Sequence, residues 1–452
     1  MNKIFTTSII ICMMFIASIA WSKIIWVDDD LQDCPDADFT KIQEAIDAAI
    51  PGDEVWVCPG VYEENITLIG NIKVIGVDGA EETKIMASSG DIVTADNIGV
   101  KTSISGFKID GQGSSGHGIH CYGSSSPTIS KVNISDCADG IHCYGSSSPS
   151  ISYVTISGVG GDGISCNRSS PSISDVTISG AGRHGIYCYI SSPSISYVTI
   201  RAGRTTGIYC DSSSLISISK VTINGAGGDG IGFSTSSGTI SDVTIIDAGD
   251  NGICCVNPSL PITISNCDIR YSRSDGIRCA ASSSPTIRES IIIQNYLNGI
   301  SIDSSSRPDI GTEAEPGLNE IFDNGNYDVY SENTAEIKAE LNCWGECPPN
   351  PAYFYGNIDY DPWLCTAING IVTGAGTGNP IKWAFVIAVN ADTKDKYIAV
   401  TNSEGYFEIL GVPSGTYWVI CIKKGYKAGI KRVKVACGDT IVVDFKLSPK
   451  QE

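Results

Sequence analysis

Four residues at near-constant spacing could do chemistry together: His117, Asp139, Asp162 and His184. Each directly precedes a glycine (Gly118, Gly140, Gly163, Gly185), and those glycines step by 22, 23 and 22 residues. If one step is one turn of a repeating structure, two carboxylates flanked by imidazoles stack about 5 Å apart. Such a set could split its carboxylates into an acid and a base, or hold a divalent cation. These four are the candidate catalytic residues. The same slot later holds Thr206, Asp229, Asn251, Asp275 and Asn298. Short polar side chains in a turn also bond nearby backbone, which is the purely structural account of the column.

Two further columns follow each glycine. One holds His120, His142, Ser165, Tyr187 and Tyr209; the other holds Tyr122, Tyr144, Asn167, Tyr189 and Asp211. Rings in a line suit a polysaccharide, because they pack on sugar C–H faces while hydroxyl and imidazole groups bond sugar hydroxyls. The candidate ligand-binding residues are therefore His120, Tyr122, His142, Tyr144, Tyr187, Tyr189 and Tyr209. Strand propensity alone also favours tyrosine here. A threonine column (Thr155, Thr177, Thr199, Thr222, Thr244) stands beside Lys131, Tyr153, Asp175, Tyr197, Lys220 and Asp242. That neighbour is too charged for an ice-binding array, and cross-strand contacts explain the threonines.

The element that must position these residues is a repeat. GIHCYGSSSPTISKVNIS begins at Gly118, GIHCYGSSSPSISYVTIS at Gly140, and the glycine recurs to Gly299. Such a period means stacked units that bury their apolar sides only against neighbours. Ile119 and Cys121 alternate with polar residues, as do Val132 and Ile134, yet Ile129 to Val132 is an odd step. A straight strand cannot turn both inward, so the chain must bend between them. Each repeat reads as three short strands and no helix, which is one coil of a parallel β-helix. From about Ile24 to Cys365 the chain resembles the right-handed parallel β-helix proteins of the pectin-lyase-like class, including periplasmic NosD-type repeat proteins. That resemblance implies an all-β solenoid, an architecture that hosts lyases, hydrolases, esterases, adhesins and non-catalytic proteins.

The ends differ from the middle. Residues 1–22 read as a secretory signal, with an uncharged apolar run from Ile4 to Ala20. Phe39 to Gly52 has a helical apolar period and a Thr40–Gln43 capping box, placing a helical lid on the first coil. The run DFTKIQEAIDAAIPGDEVWVCPGVYEENITL is similar to the opening of pectin methylesterases, without that family's later catalytic motifs. Gly116-His117-Gly118 matches one element of polygalacturonases, whose other motifs are absent. NCWGECPPNPAYFYGNIDYDPWLC resembles the closing segment of bacterial β-helix proteins. Beyond Cys365, NGIVTGAGTGNPIKWAFVIAV, TNSEGYFEILGVPSGTYWVICIKKGY and VVDFKL resemble the carboxypeptidase regulatory-like β-sandwich, which implies a small Ig/prealbumin-like domain over residues 366–452. The solenoid then occupies residues 23–365.

The net charge is −20. Up to Cys365 there are 19 basic and 43 acidic side chains; beyond it there are 11 and 7. An acidic rod disfavours nucleic acid and polyanionic substrates unless calcium bridges the two. No cofactor and no metal site are expected, calcium being the one ion the charge balance admits, and no zinc-spaced cluster is present. Cys121, Cys143, Cys166, Cys188, Cys210, Cys255 and Cys279 share one inward slot, where parallel side chains suit stacked thiols rather than bridges. Cys34 with Cys58, and two among Cys343, Cys347 and Cys365, are expected to pair. Cys421 and Cys437 share the parity of core residues in the sandwich. The composite expectation is an exported protein, secreted, periplasmic or at the cell surface, with no membrane span after signal removal. It would bind a polysaccharide or cell-surface glycan, the alternative being a polysaccharide lyase or glycoside hydrolase.

Overall fold

The computed structural model describes residues 22–450 apart from 214 and 258–260. The signal segment, save Ser22, lies outside the described residues. From Ile24 to Asp359 the chain winds as a right-handed solenoid whose walls are parallel sheets of 20 and 13 strands. The 13-stranded sheet contains Ile119–Tyr122, Ile141–Tyr144, Ile164–Asn167, Ile186–Tyr189 and Ile208–Asp211, paired rung upon rung without slippage. No helix among the described residues is long and apolar enough to cross a membrane.

The expected bend is present, in a tighter form than three separate strands. In four coils the two inward runs are one eight-residue strand: Thr128–Ser135, Ser150–Ser157, Ser172–Ser179 and Ser194–Arg201. Inside these strands Lys131, Tyr153, Asp175 and Tyr197 take left-handed φ values of 53, 54, 52 and 53°. That single residue flips the pleat, so Ile151 and Val154 both face the core. Later coils break there, as between Ile216–Ser219 and Thr222–Asn224. Two further left-handed residues mark the other corners, for example Arg168 and Gly180 in one coil.

The interior repeats as strictly as the sequence. All seven cysteines of the inward slot are buried with free thiols, in line with Phe233 and Ile302. Burial pushes the Cys255 and Cys279 thiols well up. The serines of the SSSP corner make an internal ladder: the amides of Ser169, Ser191 and Ser213 donate to the Oγ of Ser191, Ser213 and Ser236. The Oγ atoms of Ser169 and Ser191 in turn donate to the Cys143 and Cys166 carbonyls. The anchoring glycines are needed for close approach. A Cβ on Gly163 would lie 2.5 Å from the Gly185 carbonyl oxygen and 2.6 Å from Ile178 Cγ2.

Both ends are closed. The helix spans Ile42–Ala48, shorter than its apolar period suggested, and buries Ile42, Ala45 and Ile46 over the first coil. The Thr40–Gln43 capping box does not form, because Lys41 is the N-cap and makes no side-chain cap bond. Instead the Ile42 and Gln43 amides donate to the Glu64 carboxylate at 2.8 and 3.0 Å. A full negative charge from the next coil serves the positive helix end better than a hydroxyl. Cys34 and Cys58 are bridged as expected. At the far end Trp344, Phe354 and Tyr360 cover the last coil, with ring centroids 4.8 and 4.2 Å apart.

The C-terminal unit packs two four-stranded sheets around Val372, Val386, Phe407, Tyr417, Val419 and Cys421. Cys437 departs from its expected place in that core. Its strand ends at Val435, so parity no longer governs it, and it bridges to Cys343 of the solenoid. Cys347 pairs with Cys365.

Candidate functional site

The turn column and one strand column meet on the outer wall of the 13-stranded sheet. The His117 ring lies 4.4 Å from His142 and 5.2 Å from His120, and His120 lies 5.1 Å from His142. The chain has four histidines, so three of them share one spot. Two carboxylates close the group. Asp91 Oδ2 lies 2.7 Å from His120 Nδ1, and its Oδ1 accepts the His117 amide at 2.8 Å. Asp139 Oδ2 lies 3.0 Å from His142 Nδ1 and 3.4 Å from His117 Nδ1. Tyr122 is tilted against His120 at 4.9 Å.

The electrostatics follow from those contacts. Burial raises the Asp139 carboxyl, but the His142 bond, the Asp162 amide and the His117 ring outweigh it and hold the group low. Asp91 is held low in the same way by His117 and His120, against burial. Burial and the neighbouring His142 lower His117. His142 feels the same burial, yet its Asp139 partner raises it above the ordinary value.

The other two candidate catalytic residues lie outside the histidine cluster, joined to it through the Asp162 amide, which donates to Asp139 Oδ1 at 2.8 Å. Asp162 is 1% exposed, and its Oδ1 accepts the His184 amide at 3.0 Å. Burial, with the charge of Asp139, lifts its carboxyl to about 6, while the His184 amide opposes the rise. The two carboxylates are thus pushed apart, as an acid–base pair requires. Asp162, however, is sealed from a substrate on the outer face. His184 Nδ1 meets Thr205 Oγ1 at 3.0 Å, and burial, then Arg183, pushes the ring down to about 4. Further along, Asp229 and Asp275 accept the amides of Asn251 and Asn298. The column is a backbone-bonding spine that becomes chemically dense only where the histidines gather.

His184, Tyr187 and Tyr209 form a second cluster, with near-parallel rings 5.1 to 6.1 Å apart. The Arg183 guanidinium lies 5.9 Å from the Tyr187 ring centre. Tyr144 and Tyr189 occupy the neighbouring outward column, in register through Asn167, and Tyr144 is exposed. Sequence reasoning did not reach Asp91, whose coil lacks the repeat: Ile92 stands where the glycine would be. Its one signal is the Ile92-Val93-Thr94-Ala95 alternation, which aligns Val93 with Ile119. Nor did it reach Tyr330 and Tyr355, which continue the column of Tyr187 and Tyr209 near the C-terminal end and stack at 4.8 Å. A cleft of about 400 Å³ also opens between solenoid and sandwich, lined by Arg270, Tyr271, Asp323, Asp395 and Tyr397. Asp28, Asp29 and Asp30 lie close together, but each gives a carboxylate oxygen to a backbone amide, of Cys34, Val61 and Gln32 respectively.

Residues 61–195 and 191–343 match the right handed beta helix region, which together is more than half the chain. The chain belongs to that β-helix family. Residues 367–448 match the carboxypeptidase regulatory-like domain, so a member of that domain family follows the β-helix. Among solved structures the chain is similar to the catalytic unit of the GH87 alpha-1,3-glucanase from Streptomyces thermodiastaticus strain HF3-3. Identity is 13% and the TM-score 0.48, over 57% of this chain and 61% of that one. It is also similar to the A-module of the Azotobacter vinelandii mannuronan C-5 epimerase AlgE6, with 15% identity, TM-score 0.39, and 71% and 92% of the two chains covered. A periplasmic alginate epimerase AlgG variant gives 13% identity and TM-score 0.40, over 69% and 74%. No curated protein matches the sequence.

Proposed function

We propose that the chain is an exported glycan-binding protein whose ligand lies along the outer wall of the 13-stranded sheet. The observation that carries this reading is the near-parallel group His184, Tyr187 and Tyr209, extended by Tyr189 and Tyr144 and repeated at Tyr330 and Tyr355. A wall with rings at several rungs meets an extended polymer at several sugars at once, and a compact ligand would use only one cluster. The acidic solenoid favours a neutral glycan over a polyanionic one. Three disulfides support export to an oxidising compartment. Binding is favoured over bond cleavage because Asp162, the raised carboxyl among the four candidate catalytic residues, is 1% exposed and sits behind the outer wall.

Affinity electrophoresis against a panel of neutral and acidic polysaccharides tests the reading. Tyr187→Ala with Tyr209→Ala should weaken binding by about 1–3 kcal/mol and leave the fold intact, since both side chains lie on the outer wall. Retention identical to the parent on every polysaccharide would remove the assignment. Release of reducing ends or unsaturated products, abolished by Asp139→Asn or Asp162→Asn, would replace it with a hydrolase or lyase.

A further inference from the structure

We propose that Asp91, His117, His120, Asp139 and His142 form a binding site for a divalent first-row transition ion. Two overlapping triads share His117: Asp91–His117–His120 and His117–Asp139–His142. Within each, one donor atom per residue lies within 4.8 Å of the others. Ligands about 2.0–2.1 Å from a tetrahedral zinc sit roughly 3.3 Å apart, so only small side-chain rotations are needed. His117 Nδ1 is buried and makes no hydrogen bond, its nearest carboxylate oxygen being Asp139 Oδ2 at 3.4 Å, and a metal ion would satisfy that requirement.

The donor set selects the ion. Imidazole nitrogens with a carboxylate suit zinc, copper, nickel or cobalt, whereas calcium takes six to eight oxygens and finds only two carboxylates here. The carboxylates have a second use. Asp91 faces His120 Nδ1 and Asp139 faces His142 Nδ1, the contacts that orient metal-binding imidazoles in carboxylate–histidine–metal arrangements. Rigidity is supplied by the solenoid. His120 and His142 are cross-strand partners, held by the pairing of Ile119 with Ile141 and Cys121 with Cys143. The five residues thus come from three successive coils, and the ion would staple those coils from outside.

Full-length protein without an affinity tag should be titrated calorimetrically with zinc and, separately, followed by visible absorption with cobalt(II). Saturable binding with a d–d spectrum free of thiolate charge transfer is expected. His117→Ala and His142→Ala should each weaken it at least tenfold, as should the conservative Asp139→Asn. His184→Ala should not alter it, and circular dichroism should confirm that each variant is folded. Calcium in equal excess should not displace the metal. Absence of saturable binding, a thiolate charge-transfer band, or equal affinity in the folded His117 and His142 variants would overturn the site.

Discussion

The buried carboxylate of Glu320 accepts the Ser414 backbone amide on both oxygens, at 3.0 and 3.1 Å. One partner belongs to the solenoid and the other to the sandwich. On the adjoining rung Cys343, the β-bridge partner of Glu320, is joined to Cys437 and binds the same two units covalently. The junction residue Thr366 is itself buried between them.

This double fastening predicts a thresholded response. Cys437→Ser alone should leave the units docked through Glu320, and Glu320→Ala alone should leave them bridged. The double variant should let the sandwich swing, which small-angle scattering would record as a larger radius of gyration. Unchanged scattering from the double variant would mean that other contacts hold the junction.

Asp328 gives the chain a pH dependence of defined sign. Burial lifts its carboxyl to about 7, against the opposing bond from Asn324. An unfolded aspartate titrates near 3.9, so between those values the folded chain keeps a proton that the unfolded chain has lost. The contribution of Asp328 to stability is therefore full below about pH 4 and is lost as pH rises to about 7, by up to roughly 4 kcal/mol. Asp328→Asn should narrow the gap in melting temperature between pH 5 and pH 8. An unchanged gap would assign the dependence to other groups.

Glycine and left-handed positions should respond in opposite directions. Gly163→Ala drives a methyl into the carbonyl of the next rung and should destabilise by about 1–3 kcal/mol. Asp175→Gly relieves a left-handed side-chain residue on the exposed surface. Since that relief exceeds the entropy of glycine, a gain of up to about 1 kcal/mol is expected. Denaturant titration of both variants checks the pair, and a loss at Asp175 would contradict it.

Thiol labelling tests the interior. Of the free cysteines among the described residues, Cys254 alone is not fully buried. In native protein it should be the one to react, with the others labelled only after denaturation. Rapid native labelling of Cys121, Cys143, Cys166 and Cys188 would mean that the coils open.

The solenoid was legible because one slot carries one residue class through nine rungs, and because the odd step from Ile129 to Val132 demanded a bend. What the sequence did not disclose depends on contacts between unlike segments. Glu64 caps a helix about twenty residues earlier, and Cys437 lies past the last strand residue whose parity could be read. The histidine cluster was half visible. His117 and Asp139 stood in one column and His120 and His142 in another, while only the corner geometry brings the two columns into contact. Asp91 was hidden because its coil lacks the repeat that made the others countable.

The pairing of Cys121, Cys143, Cys166, Cys188 and Cys210 in a single file has a consequence for how the chain finds its fold. A rung that fits equally well on any other rung carries no address. Sliding part of the solenoid by one full turn would keep the file, the serine ladder and the glycine approach intact, so such a slip costs little locally. The correct count is imposed from the ends, where Glu64 fits one helix and Glu320 one loop. By the same logic, deleting residues 163–184 as a block should return a shorter rod with the same two lids. Deleting 163–183 instead would leave His184 inserted after Asp162 and should distort that one corner, since coil length varies from 22 to 24 residues only where a corner accommodates it.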